Sequence, residues 1–251
     1  TPSGVRGISL SIYLRNKADL AYECGFRPKL LRELVCRTLR TRADSDNWSE
    51  YPNIDNEVRN LIDDCPWYFV YDIIESILAQ MQQAPYSYDG SKFSAELNLY
   101  FVSRGIGWKI TEGRVEMRGP AEFENLLKAT ESFMESKNFP TAANEPKEAI
   151  WDLSRRPEPD VTGAIQHSLA ALECVARSVC GDGKANLGDI MKRYRGIVPS
   201  PLDEAVSKIW GYASENGRHV REGRVPTFEE SELVVTLVSG ISTYLLRKNT
   251  A

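Results

Sequence analysis

The stretch Trp67-Tyr-Phe-Val-Tyr-Asp-Ile-Ile-Glu-Ser-Ile-Leu-Ala-Gln-Met81 is apolar round most of a helical circumference. A helix of that kind is stable only with neighbours on several sides, so the segment predicts the central helix of a packed domain. Its neighbours are legible on either side. After Pro28, residues Leu30, Leu31, Leu34, Val35 and Leu39 recur at helical spacing, and Val58, Leu61 and Ile62 predict a short helix stopped near Pro66. Between them the polar segment Thr41 to Asn53 reads as a loop. Beyond the turn Tyr86-Ser-Tyr-Asp-Gly90, Phe93, Leu97, Tyr100 and Phe101 mark a further helix ending at Gly105.

The period then changes. Ile106, Trp108 and Ile110 alternate with Gly107 and Lys109, Glu112-Gly113 supplies a tight turn, and Val115 and Met117 alternate with Glu116 and Arg118. This is the pattern of a β-hairpin. A hairpin after a helix has the layout of a winged helix, whose wing touches nucleic acid; the plainer reading packs the Trp108 face on the helices.

A helix over Pro120 to Lys137 is interrupted by Asn138-Phe-Pro-Thr141, where the domain boundary is placed, giving domains 1–140 and 141–251. The second domain reads as four or five helices joined by short loops, an up-and-down bundle. A helix near Ala142 to Ser154 runs into the proline-bounded Arg155-Arg-Pro-Glu-Pro159. Asp160 caps the next, which carries Ile165, Leu169, Leu172, Ala176 and Val179 to Gly181. A short helix follows around Leu187 to Tyr194. Ser200-Pro201-Leu202-Asp203 joins an N-cap to proline at the first helical position, opening a helix through Val206, Ile209 and Ala213. Thr227-Phe-Glu-Glu230 is a capping box for a last helix, with Leu233, Leu237, Ile241 and Leu245 expected inward. The fold class is therefore mainly α, with one hairpin.

The 251 residues, 42% hydrophobic and 26% charged, suffice for two modest cores. A net charge of −4 argues against a protein coated with nucleic-acid-binding surface, though not against a local basic patch. Arg27, Lys29, Arg32, Arg37, Arg40 and Arg42 form such a stretch. Their spacing is not confined to one face, so they read first as solvated helix surface and second as contacts to nucleic-acid phosphate. Five cysteines without a CxxC pair read as reduced thiols of a cytoplasmic protein. No run approaches the roughly 20 apolar residues a membrane helix needs, and Thr1-Pro-Ser-Gly-Val-Arg6 lacks the layout of a signal peptide, so a soluble chain without membrane partners is expected.

Only His167 and His219 can supply an imidazole. Metal sites built from several His or Cys ligands are nearly excluded, and no phosphate-cradling glycine loop or G-x-S-x-G elbow is present, so no metal or cofactor is expected. The segment Ser214-Glu-Asn-Gly-Arg-His-Val-Arg-Glu-Gly-Arg224 gathers Arg218, His219, Arg221 and Arg224 around one acid and two glycines. It has the equipment for phosphodiester chemistry: forked donors for phosphate and a group that transfers a proton near neutral pH. The competing reading is an ion-pair network built on Glu222. Glu173, amid small and apolar residues, needs a cation, and Arg218 or Arg221 at the end of a neighbouring helix is the expected partner. His167 reads as a surface or interface residue with a structural role.

The stretch Arg155-Arg-Pro-Glu-Pro-Asp-Val-Thr-Gly-Ala-Ile-Gln-His-Ser-Leu-Ala-Ala-Leu-Glu-Cys174, with Pro201-Leu202, Ile209-Trp-Gly-Tyr-Ala-Ser214, Arg218-His-Val-Arg-Glu-Gly223 and Glu229-Glu-Ser-Glu-Leu-Val234, resembles the HEPN-like C-terminal domain of AbiJ-type abortive-infection proteins. The preceding helices look like the accompanying N-terminal domain. The resemblance implies a bacterial antiphage setting, a bundle that pairs with a second copy or a defence partner, and metal-independent RNA cleavage. It would make His219, Arg218, Arg221 and Glu173 catalytic and Arg224, Arg155 and Arg156 RNA-binding. HEPN relatives carry Arg four to six positions before the histidine; here Tyr212, Ala213, Ser214 and Glu215 occupy that region. Either Arg218 or Arg221 has taken the missing role, or the nuclease has been lost and the bundle binds a partner or dimerises.

Overall fold

The structure is a computed structural model that describes residues 18–119, 121–136, 140–215 and 225–248. The chain forms two compact units, Thr1–Glu116 and Met117–Ala251. The described residues are helical apart from loops, turns and one two-stranded sheet, a mainly α fold with a single hairpin.

The first unit contains α1 (Ala18–Glu23), α2 (Pro28–Leu39), a π-helical turn (Glu50–Ile54), α3 (Asp55–Asp64), α4 (Trp67–Gln83) and α5 (Gly90–Ser103). As expected from its composition, α4 is central: Val70, Tyr71, Ile73, Ile74, Ile77, Leu78 and Met81 are all buried. The short α1, which carries no strong sequence signal, is anchored by polar contacts. Tyr22 donates to Asp55 at 2.8 Å, and Arg59 bridges Asp55 at 3.0 Å and Asp19 at 2.7 Å. Burial, reinforced by the Asp55 bond, pushes the Tyr22 phenol up.

Strands β1 (Trp108–Thr111) and β2 (Arg114–Met117) turn through Glu112 and Gly113, whose φ values of 52° and 83° are the left-handed pair of a tight hairpin. Side chains pin the strands to helices. Asn98 of α5 accepts from Ile110 N at 2.7 Å and donates to Ile110 O at 3.0 Å, while Glu75 of α4 accepts from Val115 N at 2.8 Å. The Trp108 ring lies 5.1 Å from that of Tyr71. The Trp108 face therefore packs on the helices, the plainer of the two readings.

The loop after α2 is braced from below. Arg32 Nη1 donates to Asp44 O (3.3 Å), Asn47 O (3.0 Å) and Glu57 Oε2 (3.1 Å). Glu57 in turn accepts from Asp44 N at 2.7 Å and Asn47 Nδ2 at 3.1 Å. Burial alone would raise the Glu57 carboxyl, yet these bonds and the Arg32 charge hold it below the usual value. Arg32 is thus a structural member of the basic stretch.

The second unit contains α6 (Ala121–Ser136), α7 (Pro140–Leu153), α8 (Val161–Cys180), α9 (Leu187–Arg193), α10 (Leu202–Ala213) and α11 (Phe228–Lys248). Helix α6, which the sequence reading placed in the first domain, contributes Met134 to this unit's core. Helix α8 is central and packs on α7 and α11. The predicted caps form: Asp160 accepts from Gly163 N at 2.8 Å, and Thr227 and Glu230 make both bonds of the capping box. The expected Ser200 cap does not, since α10 begins at Leu202 without a side-chain cap bond.

Helix α11 also corrects the inward set. Leu233 and Leu237 are 58% and 40% exposed, whereas Ser231, Val234, Val235, Val238, Ser239, Ser242, Thr243, Leu245 and Leu246 are buried. The buried hydroxyls are why the phase misleads. Ser231 donates to Val161 O at 2.9 Å, Ser239 to Val235 O at 2.7 Å, and Thr243 is 2.8 Å from Thr130 Oγ1, so these three occupy core positions with their hydrogen bonds met, whereas the buried Ser242 hydroxyl has no partner among the described residues.

Candidate functional site

Two charged centres on α7 and α8 contain the described residues of the predicted site. Glu173 sits on the core-facing side of α8, 4% exposed, and Arg177 one turn on reaches its Oε2 at 3.3 Å. Arg177 also donates through Nε to Ala185 O at 2.7 Å, which ties the pair to the start of the next segment. A buried carboxylate with a cation of its own helix has its charge compensated locally. Arg218, His219, Arg221 and Arg224 lie outside the described residues, and so does the expected Glu173 contact with them.

The second centre joins the end of α7 to the start of α8. Glu145 and Asp152 are seven residues apart on α7, two turns along one face, and His167 of α8 lies between them. His167 Nδ1 is 2.7 Å from Glu145 Oε2 and Nε2 is 3.6 Å from Asp152 Oδ2. Arg155 pairs with Asp152 at 2.9 Å and with Asp160 at 3.2 Å. Asp152 is nearly fully buried, and burial, opposed by Arg155, holds its carboxyl above the usual value.

The packing there leaves no spare room, because a Cβ at Gly163 would collide with Asp152 Oδ2. Each ring nitrogen of His167 faces a carboxylate, so the imidazole fits an electrostatic clasp better than a base that must take a proton from substrate. Its expected structural role is consistent with this geometry. The partners Glu145 and Asp152 were missed, although their seven-residue spacing on one helix is a usable signal. Arg155 is turned to two carboxylates of its own chain while its side chain remains 60% exposed; Arg156 is half-buried.

The cysteines offer no reactive thiol. All five are free, and burial raises each, Cys65 to about 11. Among the described residues no group of three or more His, Cys, Asp or Glu is placed to hold a metal ion, and no helix is long and apolar enough to cross a membrane.

No curated protein and no solved structure matches the chain. Residues 10–132, which take in the α4-centred first unit and its hairpin, match the family model of AbiJ N-terminal domain 4, and this match supports an AbiJ-type protein.

Proposed function

We propose that this chain is an abortive-infection defence component whose second unit binds or cleaves RNA through a divergent HEPN-like site. The observation that carries the defence role is the match of residues 10–132 to an AbiJ domain. The RNA reading is supported by the HEPN-like resemblance of the C-terminal sequence. In it His219 is the general acid or base, Arg218 and Arg221 stabilise the phosphate, Glu173 orients the cluster, and Arg224, Arg155 and Arg156 hold the strand. With His167 held between two carboxylates, His219 is the imidazole left for such chemistry.

Two assays test this. Cells expressing the chain should resist at least some phages in a plating panel. Purified protein incubated with cellular RNA in excess chelator should yield fragments, and His219→Ala should abolish them. No cleavage under any condition, including with a defence partner present, removes the enzyme reading.

A non-catalytic dimerisation subunit is the second reading, and α11 favours it specifically. Leu233, Leu237 and Tyr244 are exposed at helical spacing on one side of that helix. Its first turn carries Glu229 and Glu230 and its last Arg247 and Lys248, so two copies crossing antiparallel would oppose acid to base. Sedimentation of wild type and Leu233→Glu/Leu237→Glu at tens of micromolar checks this: a wild-type monomer counts against it.

A further inference from the structure

We propose that the groove beside the Arg32–Glu57 brace in the first unit is a ribonucleotide-binding site, which takes base and ribose inside and leaves phosphate to arginines at its rim. This does not rest on RNA cleavage by the second unit. The groove has a volume of about 640 Å³, in the range of small-molecule sites. Asn53, Asn56, Asn60 and Asp64 line it at three- and four-residue spacing, with Leu61 and Phe69 as apolar surface. None of the three amides has a hydrogen-bond partner among the described residues, and all three are exposed. Helix propensity does not explain Asn60, because asparagine is a poor residue for the interior of α3; Asn53, Asn56 and Asp64 lie in the π-helical turn and at the two ends of that helix.

Two neighbouring features point to the same ligand. Trp48 is 84% exposed, on the loop that Arg32 and Glu57 grip at Asp44 and Asn47. A large aromatic ring held out on a braced loop is a ready stacking platform for a base. Arg37, Arg40 and Arg42 are exposed and have no acidic partner among the described residues, and Arg40 and Arg42 flank the lining residue Thr41.

The charges sort the ligand. Asp44, Glu57 and Asp64 on the groove lining repel a bare phosphate; with the Glu57 oxygens taken up by the brace, the exposed Asp64 is the acid that accepts bonds from ribose hydroxyls and exocyclic amines, and asparagine amides match the edge of a base. The guanidinium groups outside take the phosphate. A free nucleotide and an unpaired residue of an RNA strand share this chemistry.

The test uses the full chain carrying His219→Ala, so that RNA is not consumed. The four ribonucleoside monophosphates are titrated by calorimetry, and fluorescein-labelled single-stranded RNA of about 12 nucleotides by anisotropy. At least one probe should saturate, and Trp48→Ala should weaken it roughly fivefold to a hundredfold. Asn56→Ala/Asn60→Ala should also weaken it, with circular dichroism confirming that each variant folds. If the source is a strand, affinity falls with salt, and Arg40→Ala/Arg42→Ala lowers the log–log slope by about 1.4; a free nucleotide shows little slope. No saturation by any probe to about 1 mM, or binding untouched by the Trp48 and Asn56/Asn60 variants, overturns the proposal. RNA binding removed only by Arg218→Ala/Arg221→Ala would sink the groove and leave the RNA reading of the second unit standing.

Discussion

The two units hold their polar groups in different ways, and the fully buried polar residues among those described lie in the second. The first uses long side chains that reach across the sequence: Glu57 holds a loop 13 residues away, Asn98 a strand 12 away and Glu75 a strand 40 away. The second pairs its two buried acids, Asp152 and Glu173, with nearby cations and otherwise uses short hydroxyls on helix faces, bonded to a carbonyl of their own or an adjacent helix, as Ser239 and Ser231 are. In the first, one residue positions a whole loop and its removal frees many groups at once. In the second, a buried hydroxyl such as Ser231 or Ser239 is satisfied by one carbonyl that also keeps its helical bond, and the apolar packing around it does most of the work.

The largest test of that contrast is Glu57→Ala. It leaves the part-buried Arg32 without its acid and the loop without its brace, and should cost about 3–5 kcal/mol in denaturant unfolding. A loss under about 1 kcal/mol would mean that the brace is not what orders the loop. Because the Glu57 carboxyl is held below its unfolded value, its stabilisation is complete above the unfolded pKa and is lost as pH falls through the lower folded one. Glu57→Gln should therefore flatten the acid limb of stability against pH.

In the second unit Leu245→Ala should cost about 2–5 kcal/mol. Leu233→Ala should stay within about 0.5 kcal/mol, because Leu245 is 2% exposed and Leu233 58%. Equal costs would restore the inward set expected from the sequence. Ser231→Ala should fall between these limits, about 0.5–1.5 kcal/mol, since it removes one buried hydrogen bond while the Val161 carbonyl keeps its helical partner.

The smallest effect is expected at Asp152. Its folded carboxyl is raised above the unfolded value, so its contribution is favourable below the unfolded pKa and is lost as pH rises through the folded one. Asp152→Asn should abolish that slope while changing stability at pH 7 only slightly, read by thermal unfolding across pH 3 to 7.

Local signals carried most of the fold. The central α4, the hairpin turn at Glu112-Gly113 and the caps at Asp160 and Thr227 are set by neighbouring residues, and each was legible. The inward face of α11 was not, because Ser231, Ser239 and Thr243 read as solvent-facing until their hydrogen bonds are seen. At the candidate site the buried acid Glu173 was legible as a group needing a cation, and the structure gives it Arg177, a partner one turn along its own helix. In the clasp around His167 the shared face of Glu145 and Asp152 was legible but their meeting with His167 was not, because its members are 15 and 22 residues apart and meet only when α7 lies against α8.

The pins on the hairpin bear on how this protein can meet another chain. A short two-stranded sheet ordinarily offers its outer backbone groups as a template for a further strand. Here Asn98 occupies both groups of Ile110 and Glu75 occupies the amide of Val115, so positions where an incoming strand would form its ladder are already filled. Strand addition, and the edge-to-edge aggregation that goes with it, is closed off at those residues.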